Sequence, residues 1–211
     1  MTYAQKNHNL NMRNPSTLIL IVVVLLVGFA GCAGCGTYNS LIGQEEAVEE
    51  AWGNVQTAYQ RRADLIPNLV STVQAAGDFE QETLQAVTEA RARATSINVS
   101  ADDLRDPASL AQFQQAQSQL SGALGRLLVV SENYPQLQAT AGFRDLQVQL
   151  EGTENRINTA RTRYNGVVRS YNTAIRQFPA AIFAGMFGHS RRSPFEAESG
   201  AQNAPEVDFD S

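Results

Sequence analysis

Between Phe143 and Phe178 apolar residues return in alternating steps of three and four: Phe143, Leu146, Leu150, Ile157, Ala160, Tyr164, Val167, Tyr171, Ala174 and Phe178, with Thr153 filling the one polar step. Five heptads in step make a seam that a helix turns to one side and that a neighbouring helix must cover. A second seam runs through Leu41, Val48, Trp52, Val55, Tyr59, Ile66, Leu69 and Val73. Leu110, Phe113, Leu120, Leu124 and Leu127 mark a third helix, and Leu84, Val87 and Ala94 a shorter one. No stretch alternates with period two for long enough to argue a strand. The expected fold class is all-α.

Local chemistry predicts where these helices begin and end. Asp78 with Gln81 three residues on reads as an N-cap and partial capping box after the break at Gly77. Asp106-Pro107 is a cap followed by proline at the first helical position, where the missing N–H costs nothing. Asn133-Tyr134-Pro135 and Phe178-Pro179 close the third and fourth helices, because residues before proline avoid helical torsions. Ile97–Asp106 is the one substantial linker. Helices over Tyr38–Ala76 and Ala141–Phe178 would each be about 55–60 Å long. With connections this short, the economical arrangement is an up-and-down antiparallel four-helix bundle with long first and last helices.

Ahead of the bundle, Thr17–Ala30 is an almost unbroken apolar run that leads into Gly31-Cys32-Ala33-Gly34-Cys35. Lys6 and Arg13 precede it and no basic residue follows until Arg61, the layout of a bacterial export signal or membrane anchor. Residues 1–16 are then a cytoplasmic segment, 17–35 a transmembrane helix or lipoprotein signal, 38–188 the helical bundle and 189–211 a flexible tail. Two fates stay open for the anchor: retention as a spanning helix, or cleavage and acylation at Cys32 or Cys35. Either way the domain is tethered to the bacterial cell membrane and faces the periplasm or exterior. Beyond Cys35 the chain carries 14 arginines against 21 acidic residues, a net charge of −7 that argues against nucleic-acid binding. Ala180–Gly188 returns to the bilayer end, where it touches lipid or closes the base. Phe195, Val207 and Phe209 are isolated hydrophobes in the tail that would dock on the bundle or a partner.

Gln60-Arg61-Arg62-Ala63-Asp64-Leu65-Ile66-Pro67-Asn68-Leu69-Val70, with Tyr38-Asn39 and Ala51-Trp52 before it, resembles the signature of the LemA family of bacterial membrane proteins. The resemblance continues through Glu132-Asn133-Tyr134-Pro135, Glu151-Gly152-Thr153-Glu154-Asn155, Arg161, Tyr164-Asn165 and Tyr171-Asn172, and reaches Pro205-Glu206-Val207-Asp208-Phe209. It implies an antiparallel helical bundle behind an N-terminal anchor, with no established enzymatic activity. It also implies a setting in envelope stress or quality control, beside a membrane protease.

Candidate sites are few. Pro67 lies inside the first seam and would kink that helix. Arg62 falls on the same seam, so its guanidinium must reach water or a carboxylate; Glu154 is the expected partner and Glu151 the second choice. Asn158, Asn165 and Asn172 form a stripe at heptad spacing, continued by Glu151 and Arg144, that would bond a neighbouring helix, line a subunit contact or stay exposed. For catalysis there is little: His8 precedes the anchor, His189 falls in the tail, and no Gly-x-Ser-x-Gly, P-loop or His-Glu-x-x-His occurs. The expectation is a non-enzymatic scaffold or adaptor without cofactor or metal that engages the membrane and a protein partner or itself. A peptide or lipid receptor, and an enzyme built from Arg, Glu and Asn, are the alternatives; a deep pocket lined by Arg61/Arg62 and Glu154 would favour them.

Overall fold

The computed structural model describes residues 15–75, 77 and 79–196. Its elements are α1 (Pro15–Ala75), α2 (Gln81–Ser96), a 3-10 turn (Asp102–Arg105), α3 (Pro107–Ser131), α4 (Pro135–Gln138), α5 (Ala141–Ala174) and α6 (Ala180–Phe187). The described residues thus form seven helical segments where four helices were expected. The extra ones follow Pro135 and Pro179, each of which opens a short helix instead of a loop, and Ala101, which opens the 3-10 turn inside the linker.

The long helices alternate in direction. On α1 and α5, Arg62 meets Glu154 and Glu50 meets Arg163, so rising numbers on one face falling numbers on the other. On α1 and α3, Trp52 and Tyr59 meet Phe113 and Arg62 meets Ser121, so these two run parallel.

Helix α1 is one continuous helix of 61 residues, so the first helix, expected from Tyr38, begins at Pro15 instead. Its first proline after Pro15 is Pro67, and the small residues between Gly31 and Gly36 permit helical torsions. No helix of the described residues is long and apolar enough to cross a membrane. Side chains at positions 17, 26, 27 and 29–33, Cys32 among them, lie outside the described set.

Pro67 leaves the carbonyl of Ala63 without its i+4 donor. Arg91 Nε, from α2, donates to that oxygen at 2.8 Å. The lost ladder bond is thus replaced from a neighbouring helix, and α1 passes through Pro67 unbroken.

The α1, α2 and α3 seams are buried at every position named above. Along α5 and its C-cap the buried positions after Tyr164 are Val168, Tyr171 and Ile175 in place of Val167, Tyr171 and Ala174, because 3.6 residues per turn drift past a strict 3.5 repeat. Helix α5 also stops at Ala174, ahead of the expected Phe178, in a turn tightened by Arg176 N–H to Thr173 and Gln177 N–H to Ala174 carbonyls. Phe178 is consequently 84% exposed. The Asp106 cap forms, its carboxylate accepting from Ala108 N–H at 3.0 Å with Pro107 next. Asp78 lies outside the described residues. Within the linker Val99 and Leu104 are buried, and Val99 carbonyl accepts from Trp52 Nε1 at 3.0 Å.

The apolar core divides in two. One half gathers Leu41, Trp52, Tyr59, Phe113, Tyr164 and Phe195; the other gathers Ile66, Leu69, Leu120, Leu127, Phe143 and Leu150. Between them lies a polar layer.

Candidate functional site

The layer is built on Arg62, whose side chain is 1% exposed. Its Nη1 donates to Glu154 Oε1 at 2.6 Å and Ser121 Oγ at 2.7 Å, and its Nη2 to Gln117 Oε1 at 2.7 Å and Gln117 carbonyl at 3.1 Å. Gln117 Nε2 in turn donates to Ala94 carbonyl at 3.2 Å, one of the terminal acceptors of α2. One guanidinium therefore links α1, α3 and α5, and reaches α2 through Gln117. Arg62 also stacks 5.1 Å from the Tyr59 ring centroid, and its Nε is buried without a partner. Glu154 is the carboxylate that meets it; Glu151 is exposed, and accepts from Gln147 Nε2 at 3.4 Å. Arg61 is exposed, and outside this layer.

The layer opens into a groove of about 1160 Å³ between α3 and α5, lined by Arg62, Gln114, Ser118, Glu154, Asn158 and Arg161. At one end the groove already holds peptide. Residues 191–196, given to the tail by the sequence reading, run extended and packed against α5. Asn172 Oδ1 accepts from Arg192 N–H at 2.9 Å while its Nδ2 donates to Arg192 carbonyl at 2.8 Å. Asn165 treats Phe195 the same way, at 2.8 and 3.1 Å. A primary amide offers one acceptor and a donor pair, so each asparagine reads main chain rather than side chain. Tyr164 hydroxyl donates to Ser193 carbonyl at 2.9 Å, and burial pushes its phenol well above the ordinary tyrosine value. Phe195 enters the core against Trp52 and Tyr164. Two members of the asparagine stripe are thus occupied by the chain's own strap, an arrangement not among those expected. Val207 and Phe209 lie outside the described residues.

At the base a second polar cluster surrounds Glu45. It pairs with Arg192, with His189 Nδ1 at 2.9 Å and with Arg105 at 3.8 Å. The His189 side chain is 5% exposed, so the expectation that it belongs to no folded constellation is corrected. The reason is α6: Gly188, at φ 75°, ends that helix and turns the chain back onto α1. Beside the cluster is a concavity of about 680 Å³ with Arg105, Arg169, Arg176 and Arg191 around it. Sequence reasoning missed Glu45 although it carries the same signal as Arg62. Leu41, Glu45, Val48 and Trp52 step by four, three and four, so Glu45 is a charge on the seam.

Neither cluster pairs a nucleophile with a base. Among the described residues no grouping of three or more His, Cys, Asp or Glu is placed to hold a metal ion. Cys35 is a free, exposed thiol.

Helix α6 packs on α1 where the apolar run ends. A Cβ on Gly34 would stand 2.9 Å from Phe183 Cζ, and the Tyr38 and Phe187 rings lie 4.7 Å apart. Ala184 closes the base, while Ile182, Met186 and Phe187 point outward, 54–72% exposed.

The chain is 24% identical over 159 residues to Protein LemA of Metamycoplasma hominis, covering 75% of this chain and 68% of that protein. It is 24% identical over 200 residues to Magnetosome protein MamQ 2 of Paramagnetospirillum magneticum, covering 87% and 74%. It is 25% identical over 196 residues to Magnetosome protein MamQ of Magnetospirillum gryphiswaldense, covering 85% and 72%. The model of the LemA family matches residues 51–209, and the chain belongs to that family.

Proposed function

We propose that this protein is a non-enzymatic helical scaffold held at a bacterial membrane by the N-terminal part of α1, with the remaining helices displayed outside. One observation carries the reading. Leu18 to Leu25 are eight consecutive large apolar residues left 40–66% exposed on α1. Covering one such side chain is worth about 1.5–3 kcal/mol, so together they favour a bilayer strongly. The outward residues of α6 sit at the end of the same run and extend the apolar surface. Above it the helices present polar flanks to a protein partner, of which a second copy and a membrane protease are candidates.

The test is fractionation of the full chain in a bacterial host. Recovery in the membrane pellet after carbonate washing is expected, and release after deletion of residues 15–35. A full chain that stays in the soluble fraction overturns the proposal. Intact mass of the extracted protein separates a retained helix from acylation at Cys32 or Cys35.

A second reading, a receptor for an extended peptide, is favoured by the groove that Arg62 and Glu154 line. Its test is titration of the detergent-solubilised protein with extended acidic peptides, read by fluorescence of Trp52.

A further inference from the structure

The arginines around the smaller concavity are not accounted for by what they pair with. That space, about 680 Å³, is walled by α5, the 3-10 turn and the strap of residues 191–196. Arg105, Arg169, Arg176, Arg191 and Arg192 line it, and no acidic residue stands among the described residues of its wall. The chain beyond Cys35 has a net charge of −7, so composition alone does not gather five cations here. Arg105 has carboxylates in reach, Asp102 at 3.4 Å and Glu45 at 3.8 Å, and Glu45 also pairs with Arg192. Arg169, Arg176 and Arg191 are different. They are exposed, and their guanidinium groups make no ion pair or hydrogen bond with a described residue.

The walls are fastened to one another. Asn172 holds the main chain of Arg192 against α5 through two hydrogen bonds, and Ser193 N–H donates to Leu104 carbonyl at 2.8 Å, tying the strap to the 3-10 turn. Arg169, Thr173 and Arg176 step by four and three, so one face of α5 and the turn after it carries both arginines. Buried Arg192 adds an Nη1 without a hydrogen-bond partner. Cations gathered around one space repel, and an anion between them relieves that repulsion.

We propose that this concavity binds a phosphate monoester, borne by a soluble compound or by a lipid headgroup. Guanidinium N–H pairs fit phosphate and carboxylate oxygens alike. A phosphate monoester brings nearly two charges and three acceptor oxygens to three unpaired cations, where a carboxylate brings one charge and two oxygens. The volume is that of an ordinary small-molecule site, with room for the group that the phosphate esterifies. Phe178 follows Arg176 by two residues, and it and the outward side of α6 expose apolar surface on which acyl chains can lie. The proposal goes beyond the scaffold reading and does not rest on it, since a soluble ester can fill the site of a chain without a membrane.

Calorimetric titration of the full chain in uncharged detergent tests it with two probes, glycerol 3-phosphate and dioctanoyl phosphatidic acid, which carry the same dianion without and with acyl chains. Saturable binding is expected, about 5-fold weaker in Arg169→Gln and in Arg176→Gln. Arg126→Gln removes an exposed arginine of α3 outside the concavity and should change nothing. Equal affinity for the two probes assigns the site to soluble esters, and tighter binding of the lipid assigns it to a headgroup. Absence of saturable binding by either probe overturns the proposal. So does binding that Arg169→Gln and Arg176→Gln leave intact, or that Arg126→Gln weakens as much as they do.

Discussion

Removing either end of the Arg62–Glu154 pair deletes the same contact, yet the two deletions should differ in cost. Arg62 is 1% exposed and Glu154 is 42% exposed. Glu154→Ala strands a cation in the interior, held by Ser121, Gln117 and the Tyr59 ring. An uncompensated buried charge costs about 3–5 kcal/mol, lowered here to roughly 2–3 by those neutral acceptors and by the open groove. Arg62→Met instead keeps the apolar stem in place and leaves a carboxylate that turns to water. Replacing a buried ion by an apolar residue of similar shape is often nearly neutral, so about 0–1 kcal/mol is expected. The gap of about 2 kcal/mol corresponds to roughly 4–8 °C in Tm for a chain of this size. Thermal unfolding followed by far-UV circular dichroism in one detergent measures both variants. The double variant should match Arg62→Met alone, since no cation is left to strand. If Arg62→Met costs as much as Glu154→Ala or more, the layer is held by packing and the electrostatic reasoning fails.

Asn165→Asp sets a carboxylate oxygen against Phe195 carbonyl, so residues 191–196 should lift from α5 and the Phe195 amide should lose exchange protection; retained protection would mean the clamp contributes little. Above pH ~10 stability should fall, by up to ~1.4 kcal/mol per pH unit for each phenol held neutral. Tyr164 and Tyr171 are both raised, chiefly by burial, so the unfolded chain loses those protons first and the folded state gains nothing from ionisation. Urea midpoints that stay level between pH 9.5 and 11 would contradict this. Gly34→Leu should expel Phe183 and detach α6, seen as faster exchange across residues 180–187, whereas Ile182→Ser, on the outward side, should leave α6 in place.

The parts legible in the sequence are those whose cause is local. Apolar steps of three and four identify the buried faces of α1, α2 and α3, and Asp106-Pro107 names the start of α3 because cap and first turn sit side by side. The same steps show where a charge intrudes, which is how Arg62 stands out; Glu45 stands in an equivalent place, but no seam residue offers it a partner. Its partners, His189 and Arg192, come from a segment without period, positioned by contacts made across the fold. The strap is the plainest case. Extended chain carries no repeat, and its place is set by amides on Asn165 and Asn172, 20–30 residues away in sequence. Phe178 was misplaced for the opposite reason: its step fits the seam, but the helix that would have turned it inward ends at Ala174.

Because α1 runs as one helix from Pro15 to Ala75, it is a lever about 90 Å along its axis. Even at Pro67, where a helix would ordinarily bend, Arg91 braces the backbone. Any rocking of its apolar end must therefore swing the far end through a proportionate arc, carrying the Arg62 layer with it. A force applied at one end is felt at the other as rotation of the whole body.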